Sequence, residues 1–482
     1  MASAFAFIRR HPWWTVSVIL ALLAIPLVLW ARTRPGYDPY GWLVWGYETI
    51  HGHLDLAGAP SWKPLPLILT APFALFGHYE LWLWMFSSVA ISLLGCLFTA
   101  RIAYRLVLGG EQSNRWPAIA AAVFAGAALL GIENYMHIVL SVQSDPMIVT
   151  LFVAAWDAYL SGHERLAFVV GCVAGLGRPE VWSTLAPFTI WLWIKRPHTR
   201  KLLVVGWVVI LFGWFGIPTI TNGRPFLAEQ LALRSPRAPH GNKIIASFHR
   251  YTELTYLPMQ LGAVFALVVA WLRRNWATLL VGASAVIWVL TETALDLKGL
   301  PGQPRYIFEP AALQTALAGV ALGWLLIEIR RRGHLRLRIG AGVLAAALVG
   351  PMVPAAVARV RFEHRDLAHE RDRTKVINLL SGTINHLGGP KAILRCGHPV
   401  TNTEYASLLA WLEHVNVDNI GYLPKKELKR KYPILLFIEL PNGWETQAYH
   451  DRSPASMANC KRVTAAWIQT HHHPYGVLVP GR

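Results

Sequence analysis

Charge is scarce in this chain. Only 15% of its 482 residues are Asp, Glu, Lys or Arg, against 54% hydrophobic residues, and the mean hydropathy is +0.36. Too few charged groups remain to cover a water-soluble protein of this size, so that class is excluded. Acids are the scarcer sign, with 27 against 45 basic residues and a net charge of +18. In a soluble chain such an excess points to nucleic acid. Here much of it sits in short loops between apolar blocks, where orientation across a bilayer and contact with anionic lipid account for it. Membrane lipid is therefore an expected partner and nucleic acid is not. Cysteine is rare, with four residues. Cys96 and Cys172 fall in apolar blocks. Cys396 and Cys460 fall in the polar C-terminal part, where an oxidising compartment permits a disulfide between them. Tandem repeats, low-complexity tracts and a nucleotide-binding motif are all missing. So is a small-x-small cleavage site after the first apolar block. That block is expected to be a retained helix with its N-terminus in the cytosol.

What is abundant is apolar sequence, in blocks of roughly twenty residues, each long enough as helix to cross ~30 Å of hydrocarbon. The expected spans are Trp13–Trp30, Leu81–Ala100, Trp116–Ile132, Pro146–Leu160, Leu202–Ile220, Leu254–Leu272, Trp276–Leu295, Tyr306–Ile329 and Ile339–Val357. A further apolar stretch between His163 and Lys195 is interrupted by Arg178-Pro179-Glu180 and reads as a kinked hairpin. The total is about eleven spans. Tryptophan is plentiful at 22 residues, much of it near block ends, where Trp82 and Trp84 read as interfacial anchors. With this topology Arg9/Arg10, Arg101/Arg105/Arg115, Lys195/Arg196/Arg200/Lys201, Arg273/Arg274 and Arg330/Arg331/Arg332 share one side, the cytosolic one. Most loop acids fall on the other side, which hints at where chemistry happens.

The character of the chain changes after Val357. Residues 1–357 form the membrane part, and residues 358–482 a small extracytoplasmic α/β domain. In the latter, Ala392-Ile393-Leu394 and Pro433–Ile438 read as short buried strands and Thr403–His414 as a helix. Its aromatics Trp411, Tyr422, Trp444 and Tyr449 suit either carbohydrate stacking or a core. Two roles are open to the domain: binding a glycan acceptor, or capping the cleft beneath it.

The residues that suggest chemistry begin just past the first span. Asp38 lies among Tyr37, Tyr40, Trp42 and Trp45, where an idle surface carboxylate has no reason to be, and a positioned carboxylate removes a proton from an attacking sugar hydroxyl. Lys63, with Pro64 and Pro66 behind it, is a cation on rigid backbone suited to stabilising a departing phosphate. Arg305, between Pro304 and Tyr306 at a helix start, offers a planar fork to an anion where the helix dipole also favours one. Arg178 and Glu180, charged inside an apolar hairpin, need partners; a buried salt bridge and direct substrate contact are both open to them. Glu48, Glu133 and Asp145 read as polar cavity lining.

This order of first helix, acid, Lys63-Pro64-Leu65-Pro66, an apolar run to Leu75-Phe76-Gly77 and a second span resembles the GT-C superfamily. These are integral-membrane glycosyltransferases that use polyprenyl-phosphate sugars, and the similarity is to the protein-mannosyltransferase and aminoarabinose-transferase branch. Ser144-Asp145-Pro146, Gly175-Leu176-Gly177-Arg178-Pro179-Glu180 and Gln303–Pro310 are similar to later elements of the superfamily, so the resemblance spans approximately residues 1–330. It implies an all-α polytopic membrane fold and a polyprenyl-phosphate sugar donor. It also implies a glycan, lipid or protein acceptor and inverting single displacement at the extracytoplasmic face of a bacterial plasma membrane. Carried over by position, Asp38 is the general base, and Lys63 and Arg305, with Tyr306, hold the donor phosphate. Asp145 lines the cavity. No nucleotide is needed, because such a donor is already activated by its lipid phosphate. Superfamily members often carry a second acid beside the first, whereas Asp38 is followed by Pro39, which leaves a divalent metal doubtful. A lipid-linked-sugar flippase predicts two repeated halves with matching broken helices, and none is visible. A non-catalytic scaffold of the same fold stays open.

Overall fold

The computed structural model describes residues 11–58, 62–109, 114–233, 241–331, 334–422, 434–440 and 443–449. Cys460 lies outside the described residues, as does the side chain of Tyr449.

Helix α1 (Pro12–Ala31) turns Trp14, Val18, Leu22 and Leu29 outward, as a lipid-facing helix must. A short turn then leads into α2 (Tyr37–Ile50). No amphipathic stripe marks this helix in the sequence, because polar and apolar residues alike are buried along it: Asp38, Tyr40, Trp42, Leu43, Val44, Trp45 and Glu48. Helix α3 (Pro64–Ala74) starts on two prolines, Pro64 and Pro66, in the first turn, where the missing amides are no loss. It packs tightly on α2: a Cβ on Gly46 would sit 2.6 Å from the Thr70 carbonyl oxygen.

The bundle continues with α4 (Glu80–Leu108), α5 (Arg115–Leu130), α6 (Tyr135–Leu140) and α7 (Asp145–Leu160). The expected kinked hairpin forms as α8 (Glu164–Gly177) and α9 (Trp182–Lys195), joined through a 3₁₀ turn at Pro179–Val181. Helices α10 (Arg200–Leu211) and α11 (Ile217–Asn222) run on through a π-turn. After α12 (Leu227–Ala232), α13 (Lys243–Glu253) meets α14 (Leu257–Leu272) at a 98° bend. Then come α15 (Trp276–Leu297), α16 (Phe308–Arg330), α17 (Leu335–Val349) and α18 (Met352–His386).

Among the described residues six helical segments are long and apolar enough to cross a membrane, or seven if the bent pair counts as one. The protein is an integral membrane protein. The other expected spans are present as shorter helices: α5, α7, α8 and α9 have 14–16 residues, about 21–24 Å each. At the centre stands α16, buried continuously from Phe308 to Leu325. Its Ala311, Ala312, Ala316, Ala318 and Gly319 let neighbours approach closely, which is how helices associate where lipid is as apolar as leucine. A Cβ on Gly319 would lie 2.6 Å from the Ala121 carbonyl oxygen.

Beyond the bundle, α18 runs through residues 357–358 without a break. The sheet follows, in order β1 (His398–Val400), β2 (Ile434–Leu440), β3 (Gly443–Tyr449). Strand β1 is parallel to β2 in the register His398↔Ile434, and β2 is antiparallel to β3 with Leu440 opposite Gly443. One expected strand is wrong: Ala392-Ile393-Leu394 lies in α19 (Pro390–Cys396), and the strand comes just after it. A short apolar run does not distinguish strand from helix, and Pro390 at the first helical position tips the choice. The expected helix at Thr403–His414 forms as a 3₁₀ turn and α20 (Ala406–Glu413). Trp84 is not an interfacial anchor: it is fully buried and donates to the Val142 carbonyl at 3.2 Å.

Candidate active site

The start of α2, the start of α3, the start of α7, the break in the α8–α9 hairpin and the start of α16 all meet at one end of the bundle. Each brings charged side chains. Asp38 sits in the first turn of α2 and Lys63 immediately precedes α3. Asp145 opens α7, with Pro146 behind it. Arg178 occupies the extended residue (φ −149°, ψ 129°) between α8 and the 3₁₀ turn, and Arg305 and Tyr306 lie in the 3₁₀ turn ahead of α16. Helix starts recur because proline, an acid and an unpaired amide are all tolerated there.

Asp145, completely buried, is the hub. Lys63 Nζ lies 3.6 Å from its Oδ1, Arg305 Nη1 lies 3.6 Å from its Oδ2, and Arg178 donates to its Oδ1. Arg305 bridges outward, donating from Nη2 to Asp38 Oδ2 at 3.1 Å. Lys63 also donates to the Ser144 hydroxyl at 2.9 Å and lies 5.7 Å from the Trp42 ring centroid. Arg178 carries the inner half of the network. Its Nη1 is 3.3 Å from Glu180 and 3.9 Å from Glu292, its Nε is 3.8 Å from Glu309, and its guanidinium stacks 4.1 Å from the Tyr306 ring centroid. Tyr306 is fixed from behind, since Trp288 Nε1 donates to its carbonyl at 3.0 Å. Three cations and five carboxylates thus share one buried site. Such an assembly is costly to desolvate and holds only while each charge keeps its partners.

The structure brings Asp38, Lys63, Asp145, Arg178, Glu180, Arg305 and Tyr306 together. It does not bring Glu48 or Glu133 to them. Glu133 instead accepts from Arg359 of α18 at 2.7 Å. Nearby, His137 pairs with Asp366 at 2.8 Å. Glu48 is buried under the C-terminal part, accepting from the Asp55 amide at 3.1 Å and from Asn416 at 2.9 Å. Burial pushes its pKa up, against the opposing hydrogen bonds. The sequence reading passed over Glu292 and Glu309. Both had a signal: an acid inside an apolar block, and an acid in the motif that opens another. No three His, Cys, Asp or Glu side chains among the described residues converge as ligands for a metal ion.

Two further features adjoin the cluster. On one side Arg250 of α13 donates to Asp296, to the Gly302 carbonyl and, at 3.0 Å, to the Ser247 hydroxyl, so it ties down the loop that leads to Arg305. On the other, an apolar groove of about 320 Å³ lies between α7, α8, α9 and α15. Phe152, Trp156, Leu185, Phe188 and Ile287 are among its walls, as is Val181, which follows Glu180 in sequence.

This cluster of carboxylates and cations lies at one end of a helical bundle, and the bundle has the GT-C fold. The chain is similar to ArnT from Cupriavidus metallidurans, a GT-C aminoarabinose transferase, in a structure bound to undecaprenyl phosphate. That match has a TM-score of 0.52 and 17% identity, over 94% of this chain and 95% of that one. ArnT in the apo state matches with the same TM-score and coverage at 15% identity. An oligosaccharyltransferase from Archaeoglobus fulgidus matches with a TM-score of 0.49 and 12% identity, over 88% of this chain and 66% of that one. No protein-family model matches the sequence, and no curated protein matches it.

Proposed function

We propose that this protein transfers a sugar from a polyprenyl-phosphate donor to a glycan, lipid or protein acceptor at the extracytoplasmic face of a bacterial plasma membrane. The observation that carries the reading is the joining of Asp38 to Lys63, Asp145 and Arg305 in one buried network at one end of a GT-C bundle. In this reading Asp38 takes the proton of the acceptor hydroxyl. The hydroxyl oxygen forms a bond to the anomeric carbon from one side as the bond from that carbon to the phosphate oxygen breaks on the other. The electron pair leaves with the polyprenyl phosphate, and the configuration inverts. Lys63 and Arg305, with Tyr306, hold that phosphate, where fixed cations stabilise the charge it gains. Asp145, shared by all three cations, sets their spacing, and Arg178 with Glu180 shapes the floor. The apolar groove takes the polyprenyl tail, and its aromatic and aliphatic walls suit an isoprenoid.

The orientation that goes with this reading puts the end carrying Arg101, Arg105 and Arg196 in the cytosol. Residues 1–357 then serve as the catalytic part and 358–482 as the extracytoplasmic part, with α18 shared between them. Trp411 packs 5.5 Å from Tyr40, and Trp444 packs 5.0 Å from Tyr405 while donating to the Val376 carbonyl. Both therefore act as packing residues, which favours the capping role. The experiment is sugar transfer by purified protein in proteoliposomes, from a panel of polyprenyl-phosphate sugars to native envelope glycan. We expect transfer by the wild type and its loss in Asp38→Asn, with undecaprenyl phosphate still bound. Full transfer by a well-folded Asp38→Asn protein refutes the base assignment. Movement of labelled lipid-sugar across the vesicle without transfer replaces the transferase with a flippase.

A further inference from the structure

Helix α18 touches the one segment on which the aim of Asp38 depends. Arg371 Nε donates to the carbonyl of Ala31 at 2.9 Å and Nη2 to that of Trp30 at 2.8 Å. These are last-turn carbonyls of α1, which helix geometry leaves without an amide, and a guanidinium there also complements the helix dipole. Two residues on, Arg373 Nη2 donates to the carbonyls of Pro35 at 2.8 Å and Arg34 at 3.3 Å, while its Nε is held by Glu370 at 3.1 Å. Arg34 itself reaches Asn378 at 3.0 Å. Four of the six residues from Trp30 to Pro35 are thus gripped from a helix more than 300 positions away in sequence.

The other flank of the same segment is fixed as well. Thr33 donates its hydroxyl to the Leu140 carbonyl at 2.9 Å, and the Gly36 amide donates to the Ser141 carbonyl at 3.1 Å. Gly36 lies close against Gln143, whose side chain would have to shift for a Cβ there, 2.6 Å from its Nε2. Helix α2 starts at the next residue and Asp38 lies in its first turn. A helix is stiff over one turn, so a displacement of Arg34 and Pro35 passes directly to the Asp38 carboxylate.

We propose that Arg371 and Arg373 are positioning residues: from α18 they clamp residues 30–35 and so hold Asp38 at its place against Arg305. The proposal rests on the reading of Asp38 as the base. It differs from simple tethering of the C-terminal part, because tethering requires no contact with backbone carbonyls three residues ahead of the acid.

The test uses full-length protein in nanodiscs, comparing wild type with Arg371→Gln, Arg373→Gln and Arg373→Lys. Lys375→Gln serves as control, because Lys375 is an exposed residue of the same helix paired only with Asp372 among the described ion pairs. Three quantities are read: deuterium uptake of the peptide covering residues 33–41, the Kd for undecaprenyl phosphate, and kcat and KM for sugar transfer. Arg373→Gln is expected to raise uptake in that peptide and lower kcat by about 10- to 100-fold, the scale of an ångström-sized misplacement. KM and the undecaprenyl phosphate Kd should stay within about threefold. Arg373→Lys should recover part of kcat, because an ammonium replaces one carbonyl contact but not the planar pair. Unchanged uptake, or an equal loss of kcat in the Lys375→Gln control, overturns the proposal. Raised uptake in the variants, with a wild type that transfers sugar from no donor, upholds the clamp and rejects the transferase reading. If Arg373→Gln does not fold, Arg371→Gln and Arg373→Lys carry the comparison.

Discussion

Glu413→Gln is expected to stabilise the protein at alkaline pH and to do almost nothing at acid pH. Glu413 ends α20, is 2% exposed, and neither of its carboxylate oxygens has a hydrogen-bond partner among the described residues. Burial pushes its pKa up from 4.5 to about 8. The sign follows from proton binding. Between the two values the folded protein keeps a proton that the unfolded chain has released. The contribution of Glu413 to stability is therefore complete below about pH 4.5 and is lost as pH rises through about 8. Over that interval the linkage amounts to a ceiling of about 5 kcal/mol. Glutamine has the same length and stays neutral throughout, so it escapes the loss. Thermal unfolding followed by tryptophan fluorescence reads the difference, with Trp411 and Trp444 as local reporters. The midpoint of Glu413→Gln minus that of wild type should be near zero at pH 5 and reach several degrees at pH 9. A difference that does not change with pH would refute the argument that the carboxyl is held neutral by burial.

Arg178→Leu should destabilise the protein by about 3–5 kcal/mol, because it leaves Asp145, Glu180, Glu292 and Glu309 without their shared cation; the heat-denaturation midpoint in detergent checks this. Arg250→Gln should weaken undecaprenyl phosphate binding about tenfold and lower the thermal midpoint as well, since it frees the loop leading to Arg305 and leaves buried Asp296 without its cation; titration by microscale thermophoresis and thermal denaturation measure the two effects. Gly319→Val should cost about 1–3 kcal/mol by forcing α16 and α5 apart, where a Cβ has no room beside the Ala121 carbonyl; thermal denaturation of the two proteins compares them.

Much of the bundle was legible in the sequence because a bilayer imposes a length and an apolarity on whatever crosses it. Those two quantities do not depend on which helix packs against which. The interrupted hairpin around Arg178-Pro179-Glu180 was legible for the same reason, since proline and charge inside an apolar block allow few alternatives. Asp38, Lys63 and Arg305 were legible as single residues, each a charge beside proline or aromatics next to a span. Helix α2 was not, because burial on every side erases the periodicity by which a helix is recognised. Nor was the helix at Pro390–Cys396, where a three-residue apolar run fits either state.

What tertiary structure alone decided is who pairs with whom. Nothing local to Asp145 says that it gathers Lys63, Arg178 and Arg305, which lie 82, 33 and 160 positions away. Nothing local to Glu133 says that its partner is Arg359. A buried charge announces that it needs a partner, because isolation in a low dielectric is prohibitive. It does not announce which one, because that is fixed by helix packing at a distance. The sequence determined a membrane bundle with charges at one end of its helices. Packing around α16 decided that these charges form a single site, and α18 decided which way the acid at its edge points.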